Sequence, residues 1–461
     1  MCLPGTFVRL GPNHISIADP DALEVIYGHG SGLLKSEFYR MFQNGPNTDV
    51  FNTTDKAEHS KLEEKRKRLA NIFSPQNVLA FEPRVRSHIR QLCGQLDLIC
   101  KEAARGTAGR NWGVRNGKAV INVCAQISYL AFDIIGDLAL GSSFGLIQAQ
   151  KDSSLVIESV DASGEPQRGT MEIPVVKTIA GGGVTIMAVG VFPSWMHKFL
   201  RLLPWNIVGL FDTFKFFKLT TMSVDARLKR GPRKSLEDGK QSIDLIDKLL
   251  EVKNEDGSAL SINELYAEAV VLLIAGSDTT SNTLSSLCYH LAIHPEIQQK
   301  LQAELDQHIP YNLPIGSDSE DPVIPPYDAI AQYEHIKNLP YLNACVKEAL
   351  RIHSTVGTGL PRVVPPGKTI TVSGQTFKAG SVISVPSYTT NRSSVWGIDA
   401  GVFRPERWLD NHTGTFNKYF VPFSIGPRAC IGRNLAYMDL MLIAATIFRR
   451  YQIEAIPSTK V

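Results

Sequence analysis

The sequence predicts a mainly α-helical fold with a smaller β portion, and three observations support this fold class. Apolar residues recur with helical spacing over three long segments, residues 78–104, 120–145 and 263–294. An apolar helix-like stretch also follows Gly432. Short strand-like segments occur near the N-terminus and again at 369–372 and 382–386. Long helices should therefore dominate, with the strands forming smaller sheets beside them.

The N-terminal part of the chain predicts strands first and then a short helix. Residues 6–17 alternate apolar and polar side chains around a Gly-Pro-Asn turn, which is typical of two short strands. A helix should follow and end at Gly28. Residues 45–60 and 106–118 are polar and rich in residues that favour turns, so both predict loops.

Residues 150–225 give the weakest structural prediction of any part of the sequence. The run Gly181-Gly182-Gly183 predicts a break in the chain. Residues 192–205 then mix aromatic side chains, prolines and cations. Such a segment suits either a membrane interface, with Trp and Lys or Arg at its border, or an ordinary buried edge. The sequence leaves both alternatives open.

Composition indicates a globular protein and excludes several classes of function. The chain has 461 residues, of which 43% are hydrophobic and 20% charged, so it can bury a sizeable core. We expect one large domain over residues 1–461. The net charge of +3 gives no indication of nucleic-acid binding. Seven cysteines without a CxxC pair indicate a reducing compartment and neither a disulfide framework nor a zinc site.

The chemistry is predicted to centre on the segment Phe423–Gly432. Cys430 lies in a glycine-bounded loop directly before the apolar helix-like stretch, and Arg428 precedes it by two residues. A helix N-terminus favours a thiolate, and glycines allow backbone to approach a large flat ligand. This arrangement suits a sulfur anion that binds a metal on a macrocycle. The alternative is a buried structural cysteine before an amphipathic helix.

Two further segments carry polar residues at informative spacing. The helix from Asn263 to about His294 begins with a capping box and is strongly apolar until it reaches Ala275-Gly276-Ser277-Asp278-Thr279-Thr280. Polar side chains in a buried helix are costly unless they have partners. Glu348 and Arg351, three residues apart, share a helix face and can form an ion pair.

These motifs resemble those of the cytochrome P-450 family. Phe423–Gly432 matches its heme-binding loop, Phe-x-x-Gly-x-Arg-x-Cys-x-Gly, at every defining position. The resemblance implies the cytochrome P-450 fold, heme b as cofactor and the Cys430 thiolate as the iron ligand, which favours cleavage of the O–O bond. It further implies that Arg428 pairs with a heme propionate and that Phe423 packs beside the sulfur.

The same resemblance assigns the remaining site residues. The Ala-Gly-x-Asp-Thr-Thr segment corresponds to the family's oxygen-activation segment, in which small residues 275 and 276 open a groove, Thr279 hydrogen-bonds to oxygen during its activation and Asp278 relays protons. The family's Glu-x-x-Arg pair is completed by an arginine from a later loop, here Arg407, in a structural network. The resemblance also implies that Arg362, Arg66 and His59 bind the heme propionates; Arg66 and His59 are seven residues apart on one helix face. The substrate contacts that it implies are Ile274, Ala275, Thr355, Val356 and Thr358.

Stretches such as Tyr27–Tyr39 and Tyr129–Gly141 resemble the fungal benzoate 4-monooxygenase group in particular. The resemblance implies a monooxygenase that inserts one atom of O₂ into an organic substrate, with ring hydroxylation of benzoate-like acids as the expected reaction. The alternatives are a secondary-metabolite monooxygenase acting on a larger apolar substrate, or an inactive truncated heme protein. Electrons should come from NADPH through a reductase flavoprotein, which docks on a basic proximal face.

The location of the protein is also an expectation from resemblance. Family members of this type lie at the cytosolic face of the endoplasmic reticulum membrane, held by an N-terminal anchor and a proline-rich hinge. This chain shows neither feature and ends soon after the helix that follows Cys430, so we expect it to be short at both ends and either membrane-associated through a peripheral contact or cytoplasmic.

Overall fold

The computed structural model describes residues 5–43, 45–54, 59–156, 171–231, 244–252, 257–309, 329–410 and 413–456. The strands are β1 (Phe7–Gly11), β2 (His14–Ile17), β3 (Leu34–Lys35), β4 (Trp112–Arg115), β5 (Lys118–Ile121), β6 (Ser154–Val156), β7 (Met171–Ile173), β8 (Arg362–Val363), β9 (Thr369–Val372), β10 (Gln375–Lys378) and β11 (Val382–Ser384).

The helices of the described residues carry most of the structure. They are α1 (Ala22–Tyr27), α2 (His59–Ile72), α3 (Pro75–Leu79), α4 (Glu82–Ala104), α5 (Val123–Leu140), α6 (Leu146–Ala149), α7 (Val175–Gly190), α8 (His197–Arg201), α9 (Pro204–Arg230), α10 (Leu245–Glu251), α11 (Ile262–Ile293), α12 (Pro295–His308), α13 (Tyr333–Ile336), α14 (Pro340–Ile352), α15 (Ser387–Thr390), α16 (Thr413–Tyr419) and α17 (Arg433–Arg450). The predicted class, mainly helical with a smaller β portion, is confirmed.

One mixed sheet gathers strands from both ends of the chain in the order β1-β2-β11-β8-β3. β11 runs parallel to β2, whereas β1, β8 and β3 run antiparallel to their neighbours. In this register Lys35 of β3 lies opposite Arg362 of β8. The sheet thus places two cationic side chains next to each other at its edge.

The main hydrophobic core is built around α11 and α5. Apolar side chains of α4, α5, α11, α14 and α17 share one buried cluster, while the mixed sheet and α1 bury a smaller one. α5 is the one described helix long and apolar enough to cross a membrane, but 67% of it is buried inside the fold. It is therefore placed as a core helix.

Two sequence predictions about loops are wrong. The segment predicted as a loop at 106–118 contains β4, which pairs with β5 in an antiparallel hairpin. Asn116 and Gly117 form its turn with φ of 54° and 71°, the left-handed conformation that an Asn-Gly pair adopts readily. The dipeptide was a signal for a hairpin that the sequence analysis did not use.

The glycine run Gly181-Gly182-Gly183 lies inside α7 and does not break the chain. A Cβ atom on Gly181 would lie 2.4 Å from a carboxylate oxygen of Asp212, and one on Gly182 would lie 2.9 Å from the Thr213 hydroxyl. Both contacts belong to α9. These glycines therefore let α7 and α9 cross at close range, because a side chain at either position would push the helices apart.

Candidate active site

The loop that carries Cys430 is held in a strained, glycine-dependent conformation. The Cys430 amide donates to the Phe423 carbonyl at 2.7 Å and closes the loop. Ser424 and Gly426 adopt positive φ values of 57° and 69°. A Cβ atom on Gly426 would lie 2.3 Å from the Tyr27 carbonyl oxygen, so this position requires glycine. α17 begins at Arg433, which confirms the predicted loop-to-helix junction.

Cys430 is exposed as a residue, although protein atoms surround its thiol closely. Burial raises the pKa of the thiol, while the Gly432 amide and the Arg66 and Arg433 guanidinium groups lower it. The net direction is upward. The helix N-terminus alone therefore does not produce a thiolate, and a metal ion that displaces the proton would be required.

A cluster of cations lies beside this loop. Arg66 donates to the Ala429 carbonyl at 2.7 Å, and Arg428 donates to the Leu33 carbonyl at 2.8 Å. Arg362 is 3% exposed and donates to the Tyr39 hydroxyl at 2.6 Å. Burial, Arg362 and Arg66 lower the pKa of Arg428 to about 10.

The cluster includes a residue that the sequence analysis missed. Lys35 is 8% exposed, and its pKa is lowered to about 7 by burial and by Arg362 and Arg428. Its position after two leucines in an apolar stretch was the available signal. Among the described residues, the side chains of Lys35, Arg66, Arg362 and Arg428 form no ion pair with a carboxylate.

These features fit a heme. The Nε atom of Arg428 is buried without a hydrogen-bond partner among the described residues, and carboxylates would satisfy it. The two propionates of a heme would supply the negative charge that the cluster lacks, next to a thiol suited to iron. α2 begins at His59, but the side chain of His59 lies outside the described residues. Its predicted propionate contact stays a prediction.

The long helix α11 begins with the predicted capping box, in which Ser261 and Glu264 bond to each other's backbone. Thr279 donates its hydroxyl to the Ala275 carbonyl at 2.7 Å. Burial raises the pKa of Asp278, and the neighbouring Asn282 side chain lowers it by hydrogen bonding. The hydroxyl groups in this segment thus find partners on the helix itself, which removes the cost of burying them.

Gly276 has a different role from the predicted one. A Cβ atom on Gly276 would lie 2.7 Å from the Cδ1 atom of Ile135, so this glycine lets α5 pack against α11. Ala275, one residue earlier, is exposed in a helix whose neighbouring Leu273 and Ser277 are fully buried. Of the two small residues predicted to open a groove, Ala275 is therefore the one on the open side.

The turn after α14 brings one predicted substrate contact to α11. The hydroxyl groups of Thr355 and Thr283 lie 3.2 Å apart, and Thr283 also donates to the Thr279 carbonyl at 2.9 Å. Thr283 was not singled out from the sequence. Val356 and Thr358 are exposed, and Ile274 is partly buried against the main core.

The predicted three-residue network forms as a closed group. Arg351 binds both carboxylate oxygens of Glu348 at 2.7 and 2.9 Å, and Arg407 binds one of them at 2.9 Å. The indole of Trp408 adds a bond of 2.9 Å to Glu348. All three charged side chains are fully buried. The network clamps α14 to the segment around residue 407.

A cavity of about 870 Å³ lies elsewhere, between α4, α5, α11 and the chain after α17. Cys100, Cys124 and Cys288 line it, but neither Cys430 nor Thr279 does. None of residues 275–280 lines it, although Asn282, the hydrogen-bond partner of Asp278, does. We therefore do not assign the oxidation chemistry to this cavity.

Comparisons with known proteins agree with the site. The family model of cytochrome P-450 matches residues 6–461. The chain is 36% identical to benzoate 4-monooxygenase bphA of Aspergillus niger, over 98% of this chain and 81% of that protein. It is 29% identical to pisatin demethylase of Fusarium vanettenii, over 98% of this chain and 78% of that protein.

A solved cytochrome P-450 heme domain has the same fold, with a TM-score of 0.68 at 18% identity, covering 96% of this chain and 82% of the solved chain. At this low identity, the structural likeness supports the fold alone. The family match over nearly the whole length supports the activity as well as the fold, because that family consists of heme-dependent monooxygenases. The chain belongs to the cytochrome P-450 family.

Proposed function

We propose that this cytochrome P-450 monooxygenase binds heme b through Cys430 and hydroxylates the ring of benzoate-like aromatic acids. The observation that carries the proposal is an exposed cysteine, Cys430, beside four cations that are buried or partly buried and have no carboxylate partner among the described residues. The 36% identity to a benzoate 4-monooxygenase supports the substrate class. Bound heme iron supplies the activation of O₂ for insertion into a C–H bond.

The residues of the chain would hold the cofactor from two sides. Cys430 would provide the sulfur ligand, with Phe423 and Gly432 bounding its loop. Arg428, Arg362 and Arg66 would bind the propionates, and His59 is a further candidate. Phe423 packs against Tyr437 with ring centroids 5.0 Å apart, which fixes the ring at the start of the loop.

Asp278 and Thr279 would handle protons on α11. The raised pKa of Asp278 lets its carboxyl group hold a proton closer to neutral pH and release it again. The Thr279 hydroxyl donates to the Ala275 carbonyl, which leaves its oxygen lone pairs available to accept a bond from a neighbouring donor. Together the two side chains can pass a proton from water toward the exposed side of Ala275.

The charge of the site supports an anionic substrate. The four cations Lys35, Arg66, Arg362 and Arg428 outnumber the two propionates of heme b. Lys35, whose pKa is lowered to about 7, carries only part of a charge near neutral pH. Asp49, with a pKa of about 6, is largely ionised there and offsets a further part, so a small positive surplus remains. A positive potential at the edge of the pocket favours an aromatic carboxylate over a neutral aromatic molecule. Ile274, Ala275, Thr355, Val356 and Thr358 remain the proposed pocket residues.

Two spectra test this function. The reduced, CO-bound protein should show the Soret band of thiolate-ligated heme, and Cys430→Ser should remove that band. Titration of the ferric protein should then give a type-I spectral shift with benzoate and a weaker one with toluene. A shift with toluene but none with benzoate would indicate that the substrate is apolar and not an aromatic acid. The assignment as a monooxygenase would be unaffected.

A reductase that delivers electrons from NADPH is the proposed partner. The sequence predicts Lys65, Arg66, Arg433, Arg449 and Arg450 as basic residues that could dock the reductase. Arg449 lies 2.7 Å from Asp306 and Arg450 lies 2.6 Å from Asp97, so both are already paired. Exposed Arg433, at the start of α17, is the better candidate for an acidic partner.

A peripheral contact with the cytosolic face of the endoplasmic reticulum membrane is the proposed location. Trp195, Phe199 and Trp205 are 79%, 68% and 74% exposed, so the alternative of a buried edge does not hold for them. Exposed Lys198 belongs to the same segment of the sequence, and this combination suits the lipid interface. Trp195→Ser with Trp205→Ser should reduce binding to anionic phospholipid vesicles, and unchanged binding would rule this patch out.

A further inference from the structure

Ionisable side chains from two separate elements hold residues 48–53, a segment within the predicted loop. Lys35 of β3 donates from Nζ to the carbonyl oxygens of Val50 at 3.2 Å and Phe51 at 2.6 Å. Lys65 of α2 donates to the carbonyl and, at 3.3 Å, the hydroxyl of Thr48. Both lysines thus hold backbone atoms, so the contacts would survive sequence changes within the segment.

The segment also fixes its own shape. One carboxylate oxygen of Asp49 accepts from the amides of Phe51 at 2.7 Å and Asn52 at 2.9 Å. Thr53 donates its hydroxyl to the Asp49 carbonyl at 2.6 Å. Asn52 and Thr53 are buried. A segment with these local bonds can move as one unit, so a few outside contacts decide its position.

Lys35 joins this segment to the cation cluster. It lies opposite Arg362 in the sheet register, and its Nζ atom lies 5.2 Å from the ring centre of Tyr39 and 5.6 Å from that of Phe51. Tyr39 in turn accepts a hydrogen bond from Arg362. Lys35 therefore connects the 48–53 segment to Tyr39, which holds Arg362, and to the strand that carries Arg362.

Glu268 of α11 lies on the other side of the segment. It is 5% exposed, and its Oε2 atom has no hydrogen-bond partner among the described residues. The backbone of Val50 and the side chains of Asp49 and Lys65 all act on its carboxyl group. Glu268 precedes Ala275 by seven residues, which is about 10 Å along a helix. The segment thus lies against α11, two turns from the exposed Ala275.

We propose that Lys35 and Glu268 are positioning residues that fix the 48–53 segment between the propionate cations and α11 and thereby set how tightly the enzyme binds its substrate. A segment held in place before binding lowers the ordering cost that the substrate must overcome. The inference rests on the proposed function, because the segment can act on affinity only if substrate binds beside α11. The inference assigns a positioning role to two further residues, which neither contact the thiolate loop nor belong to the oxygen-activation segment.

The experiment compares Lys35→Met, Lys35→Arg and Glu268→Leu with two matched controls, Lys67→Met and Glu296→Leu, which change exposed side chains. The first measurement is amide hydrogen exchange of residues 48–53 in the full chain. The second is the affinity for benzoate or toluene, whichever shifts the spectrum of the unchanged protein. The reduced CO spectrum is recorded for every variant.

Lys35→Met and Glu268→Leu should each speed exchange in the segment and weaken the probe by about tenfold, since each removes a buried polar group that bonds to the backbone of the segment. Lys35→Arg should recover part of the loss, and the controls should behave like the unchanged protein. Unchanged exchange in both variants would overturn the inference. If Lys35→Met does not fold, Glu268→Leu decides alone. If the unchanged protein lacks the thiolate spectrum, the proposed function fails, while exchange still decides the role of the two residues.

Discussion

At the scale of single residues, Asp278 is the side chain whose chemistry is easiest to separate from its packing. Asparagine keeps the size and the contact with Asn282 but cannot hold or release a proton. Asp278→Asn should therefore lower product formation about 100-fold while the reduced CO spectrum is unchanged. The measurement is product formed per NADPH consumed.

The control for this substitution is Asp410→Asn, because Asp410 is half exposed and its ion pair with Arg404 is long, at 3.8 Å. It should not change product formation, since exposed pairs of this kind contribute little. If Asp278→Asn formed product as efficiently as the unchanged protein, the proton would have to come by another route, and α11 would act only as a wall of the pocket.

The sequence predicted single residues well where one motif fixed them together. The spacing around Cys430 and the ion pair of Glu348 with Arg351 are confirmed as geometry, because both depend on short stretches of chain. Lys35 and the true contact of Gly276 were missed. Both depend on residues more than a hundred positions away, Arg362 and Ile135, which no local pattern in a single sequence reveals.

At the scale of secondary-structure elements, the crossing of α7 and α9 depends on glycine. A Cβ atom on Gly209 would lie 1.9 Å from the Thr185 hydroxyl and 2.7 Å from the Gly181 carbonyl oxygen. Gly209→Ala should therefore lower the melting temperature, with a loss of about 1–3 kcal/mol from overpacking. Calorimetry of the purified protein measures it.

The matched control is Gly183→Ala on α7, where an added Cβ atom would meet no atom within 4 Å. Alanine should stabilise this helix position by up to about 1 kcal/mol, because it restricts the unfolded chain and favours the helix. The two substitutions thus have opposite expected signs. Equal effects would mean that α7 and α9 do not cross at Gly209 in solution.

Glu348 joins α14 to the segment that carries Arg407 and Trp408. Glu348→Gln would leave fully buried Arg351 without its counter-charge and Arg407 with Asp399 alone, and removing one partner of such a group costs about 3–5 kcal/mol. We expect a large fall in the melting temperature. Glu334→Gln, in a pair whose carboxylate is 71% exposed, should have almost no effect. A small effect at Glu348 would show that the arginines find other acceptors.

Elements were predicted most accurately where a long period or a clear cap was present. The ends of α11 and the end of α1 at Gly28 agree with the sequence within one or two residues. The sequence does not predict the hairpin of β4 and β5 or the continuous helix α7, because polar residues and glycines are typical of loops. In both cases tertiary pairing, between strands or between helices, outweighed the local preference of those residues.

At the scale of the whole molecule, buried acids make the stability of the protein depend on pH. Burial and the neighbouring Asp49 carboxylate raise the pKa of Glu268 to about 8 from its ordinary value of 4.5. Between these two values the folded protein binds more protons at this site than the unfolded chain does. Its contribution to the free energy of unfolding is therefore full below about pH 4.5 and is lost as the pH rises through 8.

Glu268→Gln isolates this contribution, because glutamine has a similar shape and no charge at any pH. At pH 5 the variant and the unchanged protein should melt at nearly the same temperature. At pH 9 the variant should melt higher, since the unchanged protein must then bury a carboxylate whose Oε2 has no hydrogen-bond partner among the described residues. Lys35 has the opposite effect on stability above pH 7, because its pKa is lowered in the folded protein and its contribution to the free energy of unfolding increases there. This contribution is the same in both proteins, so it cancels in the comparison. A melting difference that did not grow between pH 5 and pH 9 would mean that solvent reaches Glu268, and that the 48–53 segment does not close over α11.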